Sequence, residues 1–503
     1  MNKATEIRTE LAKKVHGLFS EQPLSDVLDR MLAMDIDFYI VGGVVRDLAL
    51  DREVKDLDLL MPKGGLRVAR KLADDLGAAF YPLDEERGTG RVVFRSSGLF
   101  VDVASMQGTL EQDLRSRDFT VNAVAVGLSS WPETEVVDIV NGLQHILDRR
   151  LSAVSEDSFR SDPVRVLRLV RFMAALGFRP DARTWTLATE SVAGLAQISA
   201  ERIRDEIVRI VETRRLTDSL SRLSDLGADA VVLPELDDLK GIPQPAPHFD
   251  DVYNHTLSVV EYTERHLRLV DGGKPGGEAD SALVEELGEF FPKVQEHLSQ
   301  ELSWGRTVRC CLKLAAVAHD WGKPKTFSLE DGDIHFYRHE SVGGELAQAR
   351  LRALAFSRAE VDWVSKLVRL HMRIHDLAHS ERITDRAIFR LVRDAGDTLP
   401  SLVLLNLADH RGTYQDRLDM GRWIERLRLV KRILDFFYHR LGARLPKPIL
   451  SGKDVMQLWD IPPGPEVGRI LRSLQEAQAV GEVSTREEAI EWVERFVSAG
   501  DEP

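Results

Sequence analysis

A chain of 503 residues is several times the usual domain length, so roughly three or four compact units are expected, each able to bury a core. With 43% hydrophobic and 29% charged residues and no unbroken apolar run, the composition excludes a membrane-spanning protein, and the polar start MNKATEIRTELAKK lacks the apolar core of a secretory leader, so a cytoplasmic location is expected. A formal charge of -14 excludes a protein that coats nucleic acid by bulk attraction, so any RNA contact must come from local basic clusters.

From about Asp35 to Val126, short apolar runs (FYIVGGVV, DLDLLM, RVVFRS, LFVDVAS) alternate with helical stretches, which predicts an α/β head. Within it, VGGVVRDLALDREVKDLDLLM holds the central feature. Along a strand alternate side chains share a face, so Asp56 and Asp58 should point one way while Leu57 and Leu59 enter the core. Adjacent carboxylates repel unless a cation lies between them, which suits Mg²⁺ and in-line attack on a nucleoside triphosphate. Upstream, Gly42 and Gly43 permit close backbone approach to phosphates, and Arg46 supplies positive charge.

After Leu151 apolar residues recur at three- and four-residue spacing, predicting an all-helical body without strands. Arg165, Arg168 and Arg171 share one helical face by their spacing. Proline-rich joints, GIPQPAPHFDD and ARLPKPILSG, divide this part, and GGKPGGEAD reads as a surface loop. The expected layout is a head over 1–148, a helical neck and body over 149–240, a metal-binding unit over 241–418 and a helical C-terminal region over 419–503. The two cysteines, Cys310 and Cys311, are adjacent in an apolar helical run and should serve packing.

The order GGVVRD, then eight residues, then DLD resembles the DNA polymerase β-like nucleotidyltransferases, and within them the class II tRNA nucleotidyltransferase/poly(A) polymerase family. LRSRDFTVNAVAV resembles that family's ribose-recognition motif, VVDIVNGLQHIL its hinge, SDPVRVLRLVRF its base-recognition helix and ERIRDEI its last helical motif. The resemblance implies that Asp56 and Asp58 hold a catalytic Mg²⁺, with Asp102 a third active-site carboxylate. It implies that Gly42, Gly43, Arg46, Arg117, Asp118, Asn122, Asp162, Arg165, Arg168 and Arg171 bind the nucleotide. Cytosine and adenine both offer an exocyclic amine beside a ring-nitrogen acceptor, so a carboxylate at Asp162 and a guanidinium at Arg165 would select CTP and ATP without a template.

The implied activity is addition of C, and of A, to the 3′ end of tRNA with release of pyrophosphate. Three departures from the family pattern bear on it. Ser161 stands where Glu is usual. Ser116 stands where Arg is usual, with Arg115 a substitute next door. Only Val103 to Gln112 separate Asp102 from Asp113, where CCA-adding members carry a longer flexible loop. That shortening raises a CC-adding specialist, working with a separate A-adding enzyme, as an alternative. A poly(A) polymerase is another alternative, and an RNA-binding or nucleotide-sensing protein with an inert head is a third.

Further along, His255, His319, Asp320 (in HDWGKP), His339, His371 and Asp409 follow one another in the order of a metal site without thiolates, suiting Mg²⁺, Mn²⁺, Ni²⁺ or iron. This spacing resembles the HD phosphohydrolase superfamily, which implies a phosphatase or cyclic phosphodiesterase activity. His375 and His379 read as ordinary surface residues. From Arg422 to Lys447 a basic stripe includes Arg422, Arg426, Lys431, Arg432 and Arg444, and with Lys453 in the family-like tail it is the expected tRNA contact.

Overall fold

The structure, a computed structural model, describes residues 3–54, 56–95, 97–442 and 447–498, with side chains from residue 6 onward. Arg444 and Pro446 lie outside the described residues. Contacts divide the chain into two compact units, the first formed by Met1–Glu206 with Asp225–Val231 and the second by Ile207–Ser224 with Val232–Pro503. The division falls inside the helix Ala200–Val211.

The first unit is built on seven strands: β1 (Tyr39–Val41), β2 (Asp56–Met61), β3 (Ala79–Asp84), β4 (Thr89–Phe94), β5 (Leu99–Ser105), β6 (Val124–Gly127) and β7 (Glu135–Asp138). They form one sheet in the order β3-β4-β5-β2-β1-β6-β7. Each apolar run read from the sequence contributes a strand, and β3, β6 and β7 are additions. Only β2 and β5 run parallel within this sheet, and their register sets Asp58 beside Asp102. On β2 burial alternates at its start: Asp56 is exposed and Asp58 half-buried, while Leu57 and Leu59 are 0% and 1% exposed. The helix Gly65–Leu76 lays Val68, Ala69, Leu72 and Ala73 into the core at four- and three-residue spacing and stops at Gly77 in the left-handed region.

The second unit is predominantly helical. Its helix Val308–Ala318 is apolar nearly all round and buried on every side, which removes Cys310 and Cys311 from solvent as free thiols. Contrary to the expectation of no strands, it also carries two small hairpins, Glu301–Ser303 with Arg306–Thr307 and Phe327–Glu330 with Asp333–Phe336. Their turns use positive φ at Trp304 and Gly305 and at Asp331 and Gly332, a local chemistry that helical periodicity does not report. The helices Gly452–Trp459, Pro465–Ala479 and Arg486–Ser498 close around their own cluster, in which Leu450, Val455, Leu474 and Val493 are fully buried. Among the described residues no helix is long and apolar enough to cross a membrane.

Candidate functional site

The first unit carries an open cleft of about 560 Å³, lined from β2 by Asp58 and Leu60. Gly42 lines it between β1 and the helix Gly43–Ala49, at φ +75, and a methyl group there would lie 2.9 Å from an Arg117 Nη. Glycine is therefore required twice over at position 42, by backbone sign and by side-chain approach. Gly43 has no such requirement, because a Cβ there would meet only Arg46 at an ordinary 3.5 Å.

Asp58 lines the cleft at the middle of a row of acids. Burial, then the facing Asp102, then Asp56 push its carboxyl up to about 6, against the opposing pull of Arg117 and Arg91. Such a site gains most from a divalent cation, and oxygen-only donors fit Mg²⁺. Asp102 is held differently from Asp58, gripped at both oxygens by Arg91 on β4 at 2.7 and 2.8 Å. Sequence reading missed Arg91, because the cross-strand pairing that sets it opposite Asp102 exists only in the sheet.

The other wall is positive. Arg165, Arg168 and Arg171 all line the cleft from one face of the helix Arg165–Leu176. Arg168 and Arg171, with Arg46, surround Phe172, their guanidinium carbons standing 5.5, 4.5 and 5.3 Å from its ring centroid. Phe172 was not singled out in the sequence, where an aromatic on an apolar helix reads as core. Arg46 also donates to Asn122 Oδ1 at 2.7 Å and pairs with Asp47, which fixes its position.

Asp118 was expected at the sugar, yet its carboxylate is already taken. One oxygen accepts from Phe119 N–H and Asn122 Nδ2, the other from Arg168 Nε and Nη2, and the residue is 5% exposed. Burial alone would raise its pKa, but Arg168 and these hydrogen bonds hold it down at about 2. Asp118 is thus a positioning group for Arg168. Arg117 faces the cleft, braced by Asp113 at 3.1 Å.

Asp162 and Arg165, the expected base readers, do not lie on one helix. Pro163 separates the short helix Ser158–Ser161 from Arg165–Leu176, and Asp162 sits in the break with φ -151 and ψ 88. Its carboxylate binds Arg202 at 2.8 Å and reaches Arg165 only at 3.9 Å. Arg165 is anchored on the carbonyls of Ser116, Arg117 and Ser158. Arg115 does not substitute for the missing arginine at 116, because it turns to Glu111 at 2.9 Å and does not line the cleft. The interval after Asp102 is a tight turn, in which Thr109 and Gln112 form a capping box that starts the helix Leu110–Ser116.

In the second unit the His and Asp residues named from the sequence converge as two trios, His255, His319 and Asp409, and Asp320, His339 and His371. Three of the rings are set by backbone: His319, His339 and His371 each donate from Nδ1 to the carbonyl three residues earlier, at 2.9, 2.9 and 2.7 Å. That tautomer turns each Nε2 lone pair inward. His339 and His371 then bring their Nε2 atoms within 3.2 Å of each other, lone pair against lone pair, beside Asp320 at 3.5 and 3.8 Å. His255 Nε2 lies 3.2 Å from Asp409 and His319 Nε2 3.1 Å from Asp320. Imidazole nitrogens and carboxylates converging in one buried cluster, without thiolates, fit a divalent cation. Burial first, then His339 and His319, push His371 down to about 3, so it is neutral and ready to ligate. Lys323, three residues after Asp320 and 2.7 Å from it, was legible in HDWGKP by spacing but was given no role.

The expected tRNA stripe is mostly neutralised. Lys431 pairs with Glu289 at 3.2 Å and Arg432 with Asp385 at 2.5 Å, while Arg422 and Lys453 are exposed. Arg426 does not belong to the surface at all, being 6% exposed, since its helical face turns inward.

Acids on adjacent strands under an arginine-lined cleft define a metal-dependent nucleotidyltransferase head, and the second unit has the histidine and aspartate constellation of an HD protein. The comparisons with known proteins agree. Residues 38–152 match the Poly A polymerase head domain, 177–240 an RNA- and SrmB-binding segment of polymerase A, 252–412 the HD domain and 340–493 tRNA nucleotidyltransferase domain 2. An A-adding tRNA nucleotidyltransferase of Deinococcus radiodurans is 33% identical over 91% of this chain and 95% of its own. A CC-adding tRNA nucleotidyltransferase of Thermus thermophilus is 34% identical over 91% and 95%. Among solved structures, a CCA-adding enzyme complexed with ATP superposes with a TM-score of 0.62 at 18% identity, covering 98% of this chain and 99% of that one. The chain belongs to the tRNA nucleotidyltransferase family and is an enzyme of that class. Its head and its HD unit are both of kinds that use divalent metal ions.

Proposed function

We propose that this enzyme adds C, A or both from CTP and ATP to the 3′ end of tRNA, releasing pyrophosphate. The observation that carries it is Asp58, pushed up to about 6 by its burial and its neighbouring acids, at the edge of an arginine-lined cleft of about 560 Å³. Asp56, Asp58 and Asp102 would hold Mg²⁺, which when bound lowers the pKa of the attacking hydroxyl and screens the triphosphate. Arg46, Arg117, Arg168 and Arg171 neutralise the phosphates, and Gly42 lets them approach. Arg165 and Asp162 are the base readers, with Arg202 holding Asp162 in place. Asn122 fixes Arg46 and, with Asp118, the side of the cleft toward the sugar. Arg422 and Lys453, both exposed, are the stripe residues left to meet the tRNA backbone, and the reaction needs no membrane.

The readings as a poly(A) polymerase or an inert head are not favoured, because the relatives carry names for A or CC addition. Those two names match at nearly equal identity, so the choice of nucleotide lies in the cleft. The test extends two primers, a tRNA lacking its 3′ CCA and one already ending in CC, with CTP alone, ATP alone and both. One to three added residues are expected, and a long A tail or no extension overturns the assignment. A product that ends after CC would call for a separate A-adding partner.

A second reading concerns the HD unit, where the facing Nε2 atoms of His339 and His371 favour a bound divalent metal. Mg²⁺, Mn²⁺, Ni²⁺ and iron all suit the donor set, and the ligands would support hydrolysis of a phosphate ester. Metal analysis of protein prepared without chelator, with His319→Ala as control, tests it. Equal metal content in the two would refute it.

A further inference from the structure

The second unit also carries a half-open cavity of about 490 Å³, lined by Arg426, His410, His375 and His379 among others, of which only Arg422 at its edge has been given a role above. That volume falls within the roughly 300–1,000 Å³ usual for small-ligand sites. Its floor is Arg426. The guanidinium is buried, and its Nη1 has only long contacts, 3.5 Å to Ile374 O and 3.4 Å to Asn406 Oδ1. Among the described residues no carboxylate stands within ion-pair distance of it. A buried guanidinium held only by two long hydrogen bonds to neutral oxygens is left without a counter-charge in contact, and an anionic ligand would supply one.

A second group points the same way. His410 Nε2 is buried in the chamber wall with no hydrogen-bond partner, while its ring is held between Tyr414 and Trp423 at 4.8 and 5.7 Å. With its proton on Nε2, the ring is a donor aimed at the same anion. His375 and His379, four residues apart and both exposed, add two aromatic rings to the lining, with centroids 4.3 Å apart and planes tilted by 34°. Arg422 adds a further exposed positive charge at the rim, and Glu425 is the only acid among the lining residues.

We propose that this chamber binds a phosphate ester, with Arg426 and His410 Nε2 taking the phosphate oxygens and the His375–His379 pair covering the attached organic group. A terminal phosphate reaches the buried floor, whereas a phosphate inside a polynucleotide strand cannot. The chamber stands on its own residues and not on the HD metal. His371, a member of the cluster, lies one helical turn before His375, so a ligand here would sit beside the metal ligands.

The probe is AMP, with adenosine as control, followed by hydrogen–deuterium exchange resolved by peptide. Expected is protection of residues 373–382 and 420–430 by AMP and not by adenosine. Arg426→Met should weaken it on the order of tenfold to a hundredfold, the range for a hydrogen bond to a charged group. Because Arg426→Met could disturb packing, His379→Ala at the exposed rim serves beside it, with an expected loss of severalfold. AMP protection confined to the head cleft, or unchanged in both variants, overturns the proposal. Metal content read on the same samples keeps the two ideas apart: AMP protection without bound metal sinks the metal reading and leaves the chamber, and bound metal without AMP protection does the reverse.

Discussion

Replacing Asp118 by Asn keeps its shape and removes one charge from a buried network. The carboxylate accepts from Phe119 N–H at 2.7 Å, Asn122 at 3.0 Å and Arg168 at 2.8 and 2.6 Å. Its fall from an ordinary 3.8 to about 2 measures what the folded head gains from the charged form. At about 1.36 kcal/mol per pH unit this is on the order of 2 kcal/mol. An amide restores only part of that, because its NH₂ must face either Arg168 or the Phe119 and Asn122 donors. Global stability is ill-defined for a chain of two compact units, so the readout is hydrogen exchange of peptides covering β1 and β6, whose residues Ile40 and Val124 to Val126 are fully buried. Their protection should fall in Asp118→Asn by up to roughly thirty-fold, the full loss of that energy expressed as a rate ratio, and by less to the extent that the amide replaces the lost bonds. The sign of the pH dependence follows from a depressed pKa: the stabilisation is complete above about 3.8 and is lost only as pH falls toward about 2. The difference between variant and wild type should therefore stay constant from pH 8 to pH 5. Unchanged protection at pH 7, or a difference that shrinks between pH 7 and pH 5, would refute the role given to Asp118.

Other expectations follow from the same geometry. Asp58→Asn should lower tRNA extension by on the order of a thousandfold or more while leaving the fold intact, measured by primer gel and circular dichroism. Because burial and Asp102 push Asp58 up to about 6, protons compete with metal below that value. Apparent Mn²⁺ affinity of the head, read by electron paramagnetic resonance, should fall about fivefold from pH 6 to pH 5, and a flat response would contradict it. Gly42→Ala meets both a positive φ and the 2.9 Å approach to Arg117, so a loss of about 1–3 kcal/mol in head stability and a raised KM for the triphosphate are expected. Adding divalent metal to chelated protein should raise the melting temperature of the HD unit, and His319→Ala should abolish that rise.

Much of the head could be read from its residues because period-two alternation is local. The apolar runs that became β1, β2, β4 and β5, and the common face of Asp56 and Asp58, need only the geometry of a single strand. The three arginines on one helix face are likewise a matter of spacing. The HD ligands were legible as a set of residue types in order, without any means of saying that they meet. The helical body hid its two hairpins, since two short strands joined by a positive-φ turn leave almost no periodic trace. Arg115, Arg426 and Asp118 show the opposite failure: each was placed by its motif, and each was reassigned by what packs around it.

By itself the sequence determined which side chains exist at which local spacing: paired acids on a strand, arginines on a helix face, histidines at helix ends. It could not decide which distant groups neutralise one another. The pairing of Asp102 with Arg91, the capture of Asp118 by Arg168, the ring of guanidiniums around Phe172 and the burial of Arg426 are tertiary facts. The reason is physical. Charge, pKa and ligand-binding capacity depend on desolvation and on neighbours within a few ångströms, and those neighbours are supplied by the fold from far along the chain.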